Sequence, residues 1–322
     1  MTRRIPLWLT LVPLAVGIAL YGWLWSGWAQ DFRTTIERWL PGATVTISGF
    51  PYRMEADVAA PRLAGGDVVR LTAAADRARI NRGPWQPELT VIGADGPRFS
   101  VVVGPAIRAT IAGKSAASSV KVATEGAATR LVRLSTVIEA ATARLGFTPL
   151  AIAADTLELH LRERRDVSAV PGNPAGAPRG QLVLVGERLR FGTGDALTFN
   201  ADMLVTGDAR LTGYDAWARS GTIEVTGLTL ADASGEVASV KATLVPEARA
   251  RLRVAGTITT VCPATIAAAL AAAPPVSEKR LRAPVRLSFE GVAGAVTLAG
   301  LPADLATRAT RGQLPACPAV RR

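Results

Sequence analysis

The chain has 322 residues, a formal net charge of +11, 49% hydrophobic residues but only 5% aromatic ones, 30 glycines and 21 prolines. That length and apolar content exclude a disordered chain and leave room for one large folded unit or two smaller ones, with cores built mostly of Ala, Val and Leu. One histidine and two cysteines exclude a His/Cys metal cluster.

The first element is the uncharged run 5–28, IPLWLTLVPLAVGIALYGWLWSGW, preceded by Arg3 and Arg4 and followed by Asp31 and Arg33. At about 1.5 Å per residue it crosses a hydrocarbon layer roughly 30 Å thick, so a transmembrane signal anchor over 1–30 is expected. The arginine pair marks the cytoplasmic end, and Trp23, Trp25 and Trp28 gather where an interfacial belt belongs. A leader cleaved near Gly27-Trp28-Ala29 is the alternative. Either way the rest is exported, which makes nucleic acid an unexpected partner for the scattered arginines. They suit a solvated surface or phosphate head groups.

Residues 31–40 place Phe32, Ile36, Trp39 and Leu40 on one face of a short amphipathic helix, ended by Pro41-Gly42. Residues 43–63 read as two strands, or one bulged strand, interrupted at Gly49-Phe50-Pro51-Tyr52-Arg53. Because Pro51 cannot donate to a ladder, that point is a structural bend or an edge, where Phe50, Pro51 and Tyr52 pack at the start of the sheet. From 67 to 124 strands and turns alternate, and Asp95-Gly96 is the expected hairpin turn between 89–92 and 98–103. Such spacing predicts an antiparallel meander.

In 129–145, Leu131, Leu134, Ile138, Ala141 and Leu145 recur at helical spacing, which predicts an amphipathic helix capped by Gly146. The next strand alternates strictly, Leu157-Glu158-Leu159-His160-Leu161-Arg162, so His160 belongs to the wet face. Residues 171–180, rich in Pro and Gly, form the expected loop between a first half, 31–170, and a second, 181–322. Strands follow at 181–191, 196–205, 222–230 with a bulge at Gly227, 237–245 and 249–259. A helix at 265–273 and a closing hairpin through Val285, Leu287, Phe289 and 296–298 complete the chain.

No P-loop, HExxH, nucleophile elbow or CxxC pair occurs. Ser115, Ser118 and Ser119 near Lys114 and Lys121 lack any SxxK or GxSxG frame, and the carboxylate pairs Glu163/Asp166 and Asp232/Glu236 read as solvated strand ends. No catalytic residue, metal site or cofactor is expected. Cys262 and Cys317, the only cysteines, read in an exported protein as one disulfide pinning the C-terminal tail. In the chain-entropy model such a bridge contributes about 4 kcal/mol.

The expected fold is mainly β with a few helices (α+β): long curved antiparallel sheet forming a groove or open barrel behind one transmembrane helix. Leu157, Leu159, Leu161, Val285, Leu287 and Phe289 are the candidate lining of an apolar groove. In an exported, anchored protein that groove suits a phospholipid or other acyl lipid. The alternative is a closed core in a structural scaffold that meets other envelope proteins through its sheet edges.

The segment Ser48-Gly49-Phe50-Pro51-Tyr52-Arg53-Met54 behind an anchor and a tryptophan-bearing helix resembles the domain of unknown function 2125 family of alphaproteobacterial envelope proteins. So do 287–291 and 296–302 near the C-terminus, where Glu290 stands in place of the usual aspartate. The resemblance implies a bitopic inner-membrane protein with a periplasmic β domain, and no activity. A looser fold-level likeness runs to AsmA-like proteins that move lipid across the envelope.

Overall fold

The structure is a computed structural model and describes residues 7–66, 69–83, 86–103, 107–126, 128–146, 151–164, 177–207, 217–247, 251–301 and 314–320. Helix α1 spans Leu7–Trp39 and α2 spans Pro263–Leu270. The first strands are β1 (Thr44–Ser48), β2 (Met54–Ala59), β3 (Arg62–Gly65), β4 (Val69–Ala74), β5 (Arg77–Arg82) and β6 (Leu89–Asp95). Then come β7 (Arg98–Val103), β8 (Ile107–Ala112), β9 (Ser115–Glu125), β10 (Ala128–Leu145), β11 (Ala151–Glu163) and β12 (Ala177–Phe191). The last are β13 (Leu197–Gly207), β14 (Ile223–Asp232), β15 (Gly235–Glu247), β16 (Arg251–Thr260), β17 (Val285–Val292) and β18 (Ala295–Ala299).

All of these strands join one antiparallel sheet. Its main path runs β1-β2-β5-β6-β9-β10 and then through every later strand in chain order to β18. A side branch, β3-β4-β7-β8, closes onto the C-terminal end of β10. The meander is therefore present, and β11 pairs with β12, so the strands on both sides of the Pro/Gly stretch share one sheet. Residues 171–176 of that stretch lie outside the described residues, and 177–180, expected as loop, are instead the start of β12.

The branch exists because the first long strands are bent along a common line. The backbone N–H of Ala60 donates to Asp76 O, Asp76 to Asp95 O, Gly96 to Lys114 O and Lys114 to Glu139 O, each at 2.9 Å. Ala60, Gly96, Ala140 and Arg188 have φ of 45°, 58°, 48° and 51°, so every second strand crosses the line in a left-handed conformation. At Gly96 a Cβ would come 2.2 Å from Asp76 Oδ2, the carboxylate that pairs with Arg98 at 2.7 Å. Glycine spares that position the left-handed strain the other three carry and leaves the Asp76–Arg98 pair in place.

Three expectations are corrected. Asp95-Gly96 is a bend and not a hairpin, since β6 and β7 pair with different neighbours and not with each other. Residues 31–40 are not a separate helix but the end of α1. Residues 129–145 are strand β10 and not a helix. Two irregularities disguise its period of two: a bulge between Leu131 and Arg133, and the left-handed Ala140. The bulge adds one residue and the left-handed Ala140 turns the strand with its pairing register unbroken, so apolar positions fall three and four apart as they would on a helix.

The core lies on one face of the sheet in three clusters. Phe32 and Ile36 of α1 bury against Val45, Met54, Val58 and Ala78. At the bend line Ala116, Ile138, Ala141, Ala154 and Leu189 meet Phe99 and Ile111 of the branch. At the far end Ile266 of α2 covers Leu197, Leu230, Val237, Ile258 and Leu287. Burying each such large side chain contributes roughly 1.5–3 kcal/mol.

Candidate functional site: an apolar face running from the anchor to the distal helix

Register decides which side chains share a face, because directly paired residues of antiparallel strands point the same way. One ladder row runs Ile47, Ala56, Ile80, Ile92, Ser118, Thr136, Leu159, Leu184, Ala201, Leu228, Val240, Ile258, Leu287. The row two residues along, on the same face, runs Met54, Arg82, Thr90, Val120, Leu134, Leu161, Leu182, Met203, Val225, Ala242, Gly256, Phe289, Leu298. Arg82 is the sole ionisable residue in these two rows. The opposite face carries Ser119, Ser135, His160 and Asp202 between these rows and Asp57, Arg79 and Ser239 one residue beyond the first.

The apolar face is roofed at both ends and partly open between them. Leu134, Leu161, Leu182, Leu184, Met203 and Val225 are only partly buried, whereas Leu287 is fully buried beneath α2. At the anchor end a groove of about 770 Å³ lies between Phe32, Ile36 and Trp39 of α1 and a floor that includes Ile80, Ile92, Val120 and Leu134. Arg82 and Glu88 stand at its edge. Burial lowers the Arg82 guanidinium from its ordinary value, an effect the Glu88 charge opposes, and it remains a cation at physiological pH. A second depression of about 460 Å³ continues over Leu131, Leu161, Leu182 and Val205, with Arg130, Arg164 and Arg179 around it. Arg130 pairs there with Glu125 and Glu163.

Leu159 and Leu161 lie in the open middle of this face, and Leu157 packs beside the bend-line cluster. Val285, Leu287 and Phe289 share the face but belong to the core beneath α2. The α1 wall and the floor residues Ile80, Ile92 and Val120 were not legible as lining, since only register brings them together. Leu134 was hidden by the false helical period of β10. His160 is on the polar face beside Glu158, at 3.1 Å.

Cys262 and Cys317 form the expected disulfide. Cys262 precedes α2 and supplies no side-chain cap. The buried Glu278 carboxylate does so instead, accepting the N–H groups of Ala264 at 3.1 Å and Thr265 at 2.8 Å, while the Cys317 N–H donates to Glu278 O at 2.7 Å. At the other end the 49–53 bend rests on α1. The Phe50 ring lies 5.9 Å from Tyr21 and 5.3 Å from Trp25, and the Tyr21 hydroxyl donates to Pro51 O.

Helix α1 is long and apolar enough to cross a membrane, with a mean hydropathy of 1.3 over the apolar window. Among the described residues no group of three or more His, Cys, Asp and Glu side chains is placed to hold a metal ion. No curated protein and no solved structure matches the chain, so the looser likeness to AsmA-like proteins finds no support there. A family model described as "Uncharacterized protein conserved in bacteria (DUF2125)" matches residues 42–306, which takes in every strand of the sheet. The chain belongs to this family of uncharacterised bacterial proteins.

Proposed function

We propose that the protein is a non-enzymatic envelope factor that binds or conducts lipid along the apolar face of its sheet. The observation that carries the reading is the continuity of the apolar ladder rows, from the strands beside α1 to those beneath α2, with their middle left partly open to solvent. A face of that kind is costly in water unless something apolar occupies it. Hydrocarbon chains fit a track whose floor is mostly Leu, Val, Ile and Ala, with the Ser118 and Thr136 hydroxyls bonded to each other at 2.9 Å, and the guanidinium of Arg82 at the groove edge suits a phosphate head group.

The same reading makes it a single-pass inner-membrane protein with the sheet in the periplasm. Arg3 and Arg4 before the apolar helix favour a cytoplasmic N-terminus, and the disulfide favours an oxidising compartment for the rest. The test is mass spectrometry of lipids retained by residues 31–322 after export and purification. The wild-type sequence is expected to retain a phospholipid or other acyl species in stoichiometric amount, and Leu159→Asp to lose it while staying folded. Equal retention by folded Leu159→Asp would contradict the proposal, and an empty wild-type domain would favour a scaffold that docks other envelope proteins.

A further inference from the structure

The 49–53 bend meets α1 at an informative depth. From Leu7 to Tyr21 is 14 residues of continuous helix, about 21 Å, and the next charge after Tyr21 is Asp31. A hydrocarbon layer about 30 Å thick that begins near Leu7 ends close to residue 27. Tyr21, Trp25 and Trp28 therefore belong to the outer end of the span and its interface, where Tyr and Trp concentrate. Phe50 packs tilted against Tyr21 and edge-on to Trp25, and the Pro51 carbonyl accepts the Tyr21 hydroxyl. A bend held at that depth shares it.

The bend is also built to leave water cheaply. Pro51 has no N–H, its carbonyl is satisfied by Tyr21, and the Arg53 N–H donates to Gly49 O at 3.1 Å. Its aromatic side chains nonetheless keep a free surface: Tyr52 is 86% exposed, and Phe50, with one side against α1, is 50% exposed. Beside them the Arg53 guanidinium is largely exposed while it pairs with Glu55 at 3.1 Å. Two protruding aromatics next to a cation match the chemistry of a phospholipid interface.

We propose that Phe50, Tyr52 and Arg53 form a second membrane contact, a foot set into the outer interface of the bilayer that α1 crosses. Two contacts fix the tilt of the sheet where one helix would leave it free to swivel, and they hold the α1 end of the apolar face against the lipid surface. The foot stands whether or not that face carries lipid.

The experiment uses the full chain in vesicles of phosphatidylcholine and phosphatidylglycerol, with an environment-sensitive fluorophore on Tyr52→Cys. The native cysteines are paired, so the introduced thiol alone reacts. The label at position 52 is expected to emit to the blue, lose most of its intensity to lipids bearing a nitroxide near the head group, and resist aqueous iodide. A label on Lys241→Cys, exposed on the polar face, is expected to show the opposite pattern. Tyr52 is mostly exposed, so the substitution leaves the packing intact, and retained reactivity of a single thiol confirms that the disulfide is formed. Water-like emission at position 52, open to iodide and unquenched by the nitroxide lipids, would overturn the foot.

Discussion

Ala140 holds φ at 48° in the middle of β10, a conformation that costs a residue with a Cβ about 1–2 kcal/mol. Ala140→Gly is therefore expected to stabilise the fold by about 0.5–1 kcal/mol and Ala140→Val to destabilise it, as read from urea midpoints. The same residue explains why β10 was illegible. Single-residue irregularities carry no signature when neither glycine nor proline marks them, so those at Val132 and Ala140 look like helical spacing. On the polar face Asp57 titrates below its ordinary 3.8, chiefly through its hydrogen bond from Arg77, aided by the charges of Arg77 and Arg79 and opposed by burial. Its folded value lies under its unfolded one. Its stabilising contribution is thus complete above the unfolded value and lost as pH falls through the folded one. Asp57→Asn is expected to narrow the gap in urea midpoint between neutral and strongly acidic buffer, whereas an unchanged gap would mean the pair is energetically silent.

Several elements were legible from a local cue, although the Asp95-Gly96 cue pointed to a hairpin that is a bend. Proline at the start of α2, the strict alternation of β11 and the glycines of the β17–β18 turn each announce their structure. The helical face of 31–40 was legible too, but its fusion to the anchor was not, because the polar Gln30 and Asp31 that end the apolar run mark the exit from the membrane without ending the helix. The cap of α2 comes from Glu278, 13 residues beyond the N–H of Thr265 that it satisfies, so no local pattern reveals it. Glu278→Ala leaves one buried and one partly buried donor without this partner and is expected to cost about 1–3 kcal/mol in a denaturation experiment. Cys262→Ala with Cys317→Ala removes the bridge across a separation of 55 residues and is expected to cost about 4 kcal/mol. An undiminished midpoint in either variant would count against the way the tail is held over α2.

At the scale of the molecule, sequence alternation told which residues of one strand share a side, but not which strand lies beside which. Leu159, Leu184 and Leu228 are far apart in the chain, and only register makes them neighbours in one row. The groove wall depends further on α1 folding back over strands that follow it, through Phe32 and Ile36. A face this long with its middle open is the property from which lipid binding is argued. Strand β12 tests it residue by residue, because Leu182 and Leu184 point to the apolar side while Val183 between them pairs with His160 and Asp202 on the polar side. The decisive measurement is photocrosslinking in living cells, with a benzophenone side chain placed at each of these positions in turn in the full chain. The account predicts lipid adducts at 182 and 184 and none at 183; lipid adducts at none of the three, or equally at all three, would contradict it.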